Sequence, residues 1–195
     1  MIGEILNNPE QGIEGLRSYL ADCGSATDGG LTVQDLNGDG ADELLVIYAN
    51  PNAPEDAPQG DMMVFAFGPD GFSETLRARA GGKVSLLANE DINADGQVDL
   101  VWLDTTCGAN TCFDTVNVRS WDGSAWADWT DGNVAMAYAA VVLEDRLEEG
   151  QGSEIILDGG IYGSAGAGPQ RSRTETWASI GGAPYTLVDT AFEAS

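Results

Sequence analysis

The chain has 195 residues, 43% of them apolar, which suffices for one domain with its own core and is too apolar for a disordered tail despite 26 glycines. Its 32 acidic residues against 8 basic ones give a net charge of -24, a field that repels nucleic acids and anionic lipid and attracts cations. Histidine is absent, which removes Ser-His-Asp and Cys-His catalysis, histidine general bases and His-ligated zinc.

The opening "MIGEILNNPE" lacks the basic start and long apolar core of a signal peptide, so the chain reads as a mature form from which an export signal has been removed. No apolar run approaches the ~20 residues of a membrane helix. Residues 1–30 are expected to form an N-terminal α-helix and linker. In "NPEQGIEGLRSYLADCG", Asn8 is the expected N-cap, Pro9 the first helical residue and Gln11 the capping-box partner. Ile13, Leu16, Leu20 and Cys23 then share one buried stripe, and Gly24 ends the helix.

Beyond Gly30 the pattern changes to short apolar runs broken by Gly, Asp and Pro, which are strand signals. The stretch "DLNGDGADEL" at 35–44 recurs as "DINADGQVDL" at 91–100, and a worn copy starts at Asp145. Each copy lies between two apolar runs: "LTV" and "ELLVIYA", "VSLLA" and "DLVWL", "AAVVL" and "EIIL". A later hairpin also repeats, with expected tight turns at Asp70-Gly71, Asp122-Gly123 and Gly181-Gly182 and aromatics beside each. One unit therefore holds four strands. Three units over about 31–80, 83–130 and 134–192 predict an all-β, propeller-like domain at 31–195. It has three four-stranded antiparallel blades in a partial or atypical ring.

The acidic loops carry the expected chemistry. Calcium takes six to eight oxygen ligands, and alternate residues of a tight loop supply them. In the first loop the candidates are Asp35, Asn37, Asp39, the Ala41 carbonyl and Glu43. In the second they are Asp91, Asn93, Asp95, the Gln97 carbonyl and Asp99, with Gly40 and Gly96 at the sharp turn. An EF-hand needs a glutamate at the twelfth position, where this chain has Val46 and Trp102 inside strands. A plain Asx-capped turn is the competing reading of one loop. Two loops at matching repeat positions favour two calcium sites. In the third copy Asp145 and Glu149 remain, but Leu147 takes the third ligand position and Glu154 comes one residue late. That loop is expected to be empty.

These two motifs resemble the calcium loops of FG-GAP repeats, shared with VCBS-type bacterial proteins and integrin α-subunit propellers. The resemblance covers most of residues 31–192. It implies blades with calcium between their first two strands in a secreted or surface protein. The family's ring has about seven blades, so three imply a fragment, a cap by the N-terminal helix, or self-association that completes the stack.

Among the cysteines, "CGANTC" spaces Cys107 and Cys112 for a small disulfide loop in an oxidising compartment, zinc being the poorer alternative. Cys23 is expected to be a buried small hydrophobe. The most different loops, 50–60, 105–112 and 159–170, lie at the end opposite the acidic loops. They are the expected face for a protein or glycan partner. The five tryptophans read as core packing ahead of sugar stacking. Catalysis would rest on carboxylates alone, and 32 acids make their proximity uninformative, so no enzyme is expected.

The expectation is an extracellular calcium-binding β-repeat protein, with structural ions, acting in binding, adhesion or surface assembly. The alternatives are a noncatalytic or carbohydrate-binding module of a secreted hydrolase, and a salt-adapted acidic protein without a specific metal.

Overall fold

The computed structural model describes residues 1–78, 82–109, 111–146, 152–161 and 171–193. It is mostly β. Two short helices, α1 (Ile2–Leu6) and α2 (Gly12–Asp22), precede thirteen strands. The first sheet has the order β1-β2-β3-β4, with β1 (Ala26–Gln34), β2 (Glu43–Ala49), β3 (Gly60–Gly68) and β4 (Gly71–Arg77). The second is β5-β6-β7-β8, with β5 (Lys83–Glu90), β6 (Asp99–Cys107), β7 (Cys112–Trp121) and β8 (Trp126–Asp128). A short strand, β9 (Ala135–Ala137), also pairs with β7. The third is β10-β11-β12-β13, with β10 (Ala140–Glu144), β11 (Glu154–Ile161), β12 (Arg171–Ala178) and β13 (Thr186–Phe192). All pairs are antiparallel.

The layers form a row. Leu6, Leu16 and Leu20 of the helices pack on Leu44, Val46, Met63 and Phe65 of the first sheet. The opposite face of that sheet, with Leu45, Ile47, Met62 and Val64, packs on Val84, Leu100 and Trp102 of the second. The far face of the second, with Val101, Val116 and Val118, packs on Ile155 and Leu157 of the third. This row explains why "ELLVI" and "DLVW" are continuous apolar runs. Their strands are covered on both faces, so both side-chain sets are buried. In β7 every second residue from Asp114 to Ser120 is buried, the period of a pleated strand.

The N-terminus departs from expectation. Asn8, Pro9 and Gln11 do not start one long helix. Asn8 Oδ1 accepts the Glu10 N–H at 2.9 Å, and this local turn separates α1 from α2. Gln11 becomes the N-cap of α2 without a side-chain bond. Leu16 and Leu20 are buried, each adding about 2 kcal/mol of apolar burial. Cys23 is exposed and not a core residue, because it is the C-cap, where the chain turns off the stripe before Gly24 at φ +68°.

The tight turns are also less uniform than the sequence suggests. Gly68 pairs with Gly71, so the first turn is centred on Pro69-Asp70. Trp121 pairs with Trp126 around a longer loop. Gly181 and Gly182 both take positive φ, at +64° and +71°. The ring pairs Phe67–Phe72 and Trp121–Trp126 lie 5.1 and 5.5 Å apart across their hairpins. Cys107 and Cys112 are directly opposed in β6 and β7 and form a disulfide, closing the loop where Gly108 N–H donates to Thr111 O. Trp102 is buried, and Trp126, Trp129 and Trp177 pack partly buried against the cores.

Candidate metal-binding loops

The loop between β1 and β2 is held by its own side chains. Asp35 accepts the Gly38 N–H at 2.8 Å and the Gly40 N–H at 3.0 Å. Asn37 Oδ1 accepts from Asp39 N–H at 2.9 Å, and Asp39 Oδ1 from Ala41 N–H at 2.8 Å. Glu43 accepts the Leu36 N–H at 2.9 Å. The loop between β5 and β6 repeats this pattern. Asp91 accepts the Asp95 and Gly96 N–H groups at 3.2 and 2.9 Å. Asn93 accepts from Asp95 N–H at 3.0 Å, and Asp95 from Gln97 N–H at 2.8 Å. Asp99 accepts from Ile92 and Asn93 N–H at 2.9 and 3.2 Å. Gly40 and Gly96 share φ +86°, a left-handed conformation that favours glycine.

Two further features recur. Leu36 and Ile92, just after the first aspartate, are buried plugs. Asn37 Nδ2 donates to Asp39 at 3.2 Å and Glu43 at 3.0 Å, while Asn93 Nδ2 donates to Asp95 at 3.2 Å and Asp99 at 3.4 Å. In both loops the one positive end of a dipole points between two carboxylates. Among the described residues none of Asp35, Asp39, Glu43, Asp91, Asp95 and Asp99 is ion-paired with a lysine or arginine. Burial pushes the Glu43 carboxyl up despite the Leu36 N–H. Burial pushes Asp99 up to about 6, against hydrogen bonds from Ser120 and Ile92.

The third loop keeps only part of this. Glu154 is buried like Glu43 and Asp99 and accepts the Arg146 N–H at 2.5 Å. Arg146 stands where the first two loops have the apolar plug, and its guanidinium bonds Glu144 on β10. Leu147 and Glu149 lie outside the described residues. The acidic residue that opens each second strand is thus first a latch on the backbone at the loop's start. Sequence reasoning assigned Glu43 and Asp99 as ligands and missed that role. The shared seven-residue interval from Leu36 to Glu43 and Ile92 to Asp99 was the available signal.

Two partners carried no local signal. Ser120 on β7 donates to buried Asp99. The buried Tyr185 hydroxyl donates to Ile92 O at 3.4 Å and Ser153 O at 3.1 Å, tying the second loop to the third. Burial, then Asp99 and Glu154, pushes that hydroxyl up, so it stays a neutral donor. Ser153 N–H also donates to Ile92 O at 2.6 Å, and Asn89 Nδ2 to Gln34 Oε1 at 2.6 Å.

The donor set fits a hard cation. Each of the first two loops offers three carboxylates, an asparagine amide and nearby carbonyls. Rotating the amide presents Oδ1 in place of Nδ2. Among the described residues no group of three or more His, Cys, Asp or Glu side chains converges as a ready-made metal cluster. The carboxylates are engaged by loop N–H groups and the amide. Of the expected partner loops, 50–59 joins β2 to β3 and 108–111 joins β6 to β7, while 162–170 lie outside the described residues. Among the described residues no helix is long and apolar enough to cross a membrane. Neither a protein-family model nor a curated protein matches this chain.

Proposed function

We propose that this is an extracellular, noncatalytic calcium-binding β-repeat protein acting in binding, adhesion or surface assembly. Its three sheets would be propeller-like blades of a partial ring. The observation that carries the reading is the repeated amide between two carboxylates, Asn37 with Asp39 and Glu43, and Asn93 with Asp95 and Asp99. Asp35, Asn37, Asp39, Glu43 and the Ala41 carbonyl would hold one ion. Asp91, Asn93, Asp95, Asp99 and the Gln97 carbonyl would hold the other. Calcium would supply positive charge that the loops lack and fix the turn into the second strand of each sheet. The Cys107–Cys112 disulfide supports an oxidising, extracellular setting. The loop closing on Glu154 is read as metal-free.

The test is thermal unfolding of chelated protein titrated with Ca²⁺. Two sites filled to a hundred times their Kd add about 5 kcal/mol, and Tm is expected to rise by roughly 10 °C or more. Asp35→Ala combined with Asp91→Ala is expected to abolish the rise. An unchanged Tm with no bound metal in native mass spectrometry would overturn the reading. Equal stabilisation by several-molar KCl would leave an acidic, salt-adapted protein instead.

A further inference from the structure

The three sheets differ in how their last strand is closed. In the first, the Asn7 side-chain amide covers the Phe72 backbone on β4, accepting its N–H at 2.7 Å and donating to its O at 2.9 Å. That amide stands where a neighbouring strand would bond. In the second, β8 is three residues long, and just beyond it the Tyr185 N–H donates to Trp129 O at 2.8 Å. In the third, β13 is seven residues long and exposed throughout, and among the described residues no strand pairs with its outer side. Its sequence, TLVDTAF, holds neither proline nor lysine, the residues that commonly blunt an edge. One bulge at Val188 interrupts its pairing with β12, and from Asp189 the register runs unbroken to Phe192.

The register fixes what an added strand would meet. The Glu193 N–H points at β12, donating to Ser172 O at 3.2 Å. Backbone groups alternate in direction along an antiparallel strand, so those of Thr190, three residues earlier, point away from β12. The two faces differ in chemistry. Leu187 and Phe192, 47% and 49% exposed, lie with Thr190 on the face of Trp177, Glu175 and Arg173. Asp189 lies on the other face opposite Thr176, and Glu193 falls there too, opposite Ser172. Asp158 on β11 shares that face through Thr174. From residue 178 to residue 193 the chain has two charged residues, Asp189 and Glu193. Among the described residues neither is ion-paired. Arg173, opposite Phe192, is on the apolar face and is bound by Glu175 at 3.1 Å. A second copy pairing antiparallel over the whole strand would set Asp189 against Asp189, and like charges directly opposite destabilise. A segment with bases on one face and apolar side chains on the other meets its complement on both. We propose that β13 receives an extended segment of another protein as a fifth strand of the third sheet, one that alternates basic and apolar residues.

The probe is a fluorescein-labelled peptide, KVTVKVTVK, added to the full chain and followed by fluorescence anisotropy. EVTVEVTVE reverses its charge, and KKKVVVVTT keeps the charge without the alternation. KVTVKVTVK is expected to bind one per chain, about tenfold more tightly than either control. Thr190→Pro removes one outward N–H and spares the bonds to β12, so it should keep the fold and weaken binding about tenfold. Asp189→Lys should weaken binding about fivefold and strengthen that of EVTVEVTVE. In the unmodified chain the bound probe should slow exchange of the Thr190 amide about tenfold, read by NMR, and leave the Phe72 amide unchanged. No binding, or equal binding of KVTVKVTVK and KKKVVVVTT, would overturn the proposal. So would a Thr190 amide that exchanges as fast with the probe bound as without it, whatever Thr190→Pro does to folding. A dimer of the chain that Thr190→Pro abolishes would give the edge to a second copy and overturn the stated partner. None of these readouts needs calcium, so the proposal stands or fails apart from the metal reading.

Discussion

The loops at 35–43 and 91–99 differ from the loop that ends at Glu154 in which parts of one design they keep. All three bury an acidic side chain at the first residue of the second strand and use it to accept an N–H at the loop's start, from Leu36, Ile92 or Arg146. Only the first two keep the apolar plug and the asparagine amide aimed between carboxylates. The latch is therefore separable from the donor set. A buried N–H needs a partner in every sheet, whereas the oxygen-rich turn is kept in only two of them.

The sharpest way to break this comparison is to remove the latches. Asp99 accepts from Ile92, Asn93 and Ser120, and Glu154 from the Arg146 N–H. Asp99→Ala in chelated protein is expected to cost about 4 kcal/mol and Glu154→Ala about 2 kcal/mol, by urea unfolding. Only Asp99→Ala should also lower calcium binding. Equal calcium responses in the two variants would mean the loops do not differ in donor set.

The next effect is a pH dependence. Burial raises Asp99 from 3.8 to about 6 in the folded protein, so the native state keeps a proton that the unfolded chain releases. Its contribution is fully present below about pH 4 and is lost as pH rises to about 6, by at most about 3 kcal/mol. Glu43 is raised in the same direction. Chelated protein is expected to lose Tm across that window, and Asp99→Asn to flatten the profile. A profile unchanged in Asp99→Asn would assign the dependence to other groups. With Ca²⁺ present the loss should shrink, since the ion favours the ionised form.

The smallest effect separates the two intact loops. Gly38 has φ +74°, and its counterpart Ala94 is held at φ +59°. Ala94→Gly is expected to stabilise by about 1 kcal/mol, relieving a left-handed alanine. Gly38→Ala should do the reverse, because it would force an alanine into the left-handed conformation at φ +74°, whatever room the Gln97 side chain makes. Differential scanning calorimetry of both variants checks the pair. If Ala94→Gly destabilises, backbone entropy outweighs the strain at that loop.

Much of the β character was legible because it is local. Alternation in β7, the acidic motifs and the Cys107–Cys112 spacing all act within about ten residues. The N-terminus misled for a local reason too: a capping box at Asn8 competes with the Asn8–Glu10 turn, and the turn prevails. Cys23 fell on the right periodic stripe but at the helix end, where the stripe no longer faces the sheet.

The sequence by itself determined the repeated loops, the strand runs and the charge, because period-2 patterning and Asx bonding are settled between near neighbours. Only the tertiary structure decided the row of layers, the Ser120 and Tyr185 partners 21 and 93 residues from the loop atoms they bond, and the open edge at β13. Those depend on which faces pack together. An apolar run covered on both sides reads the same whatever covers it.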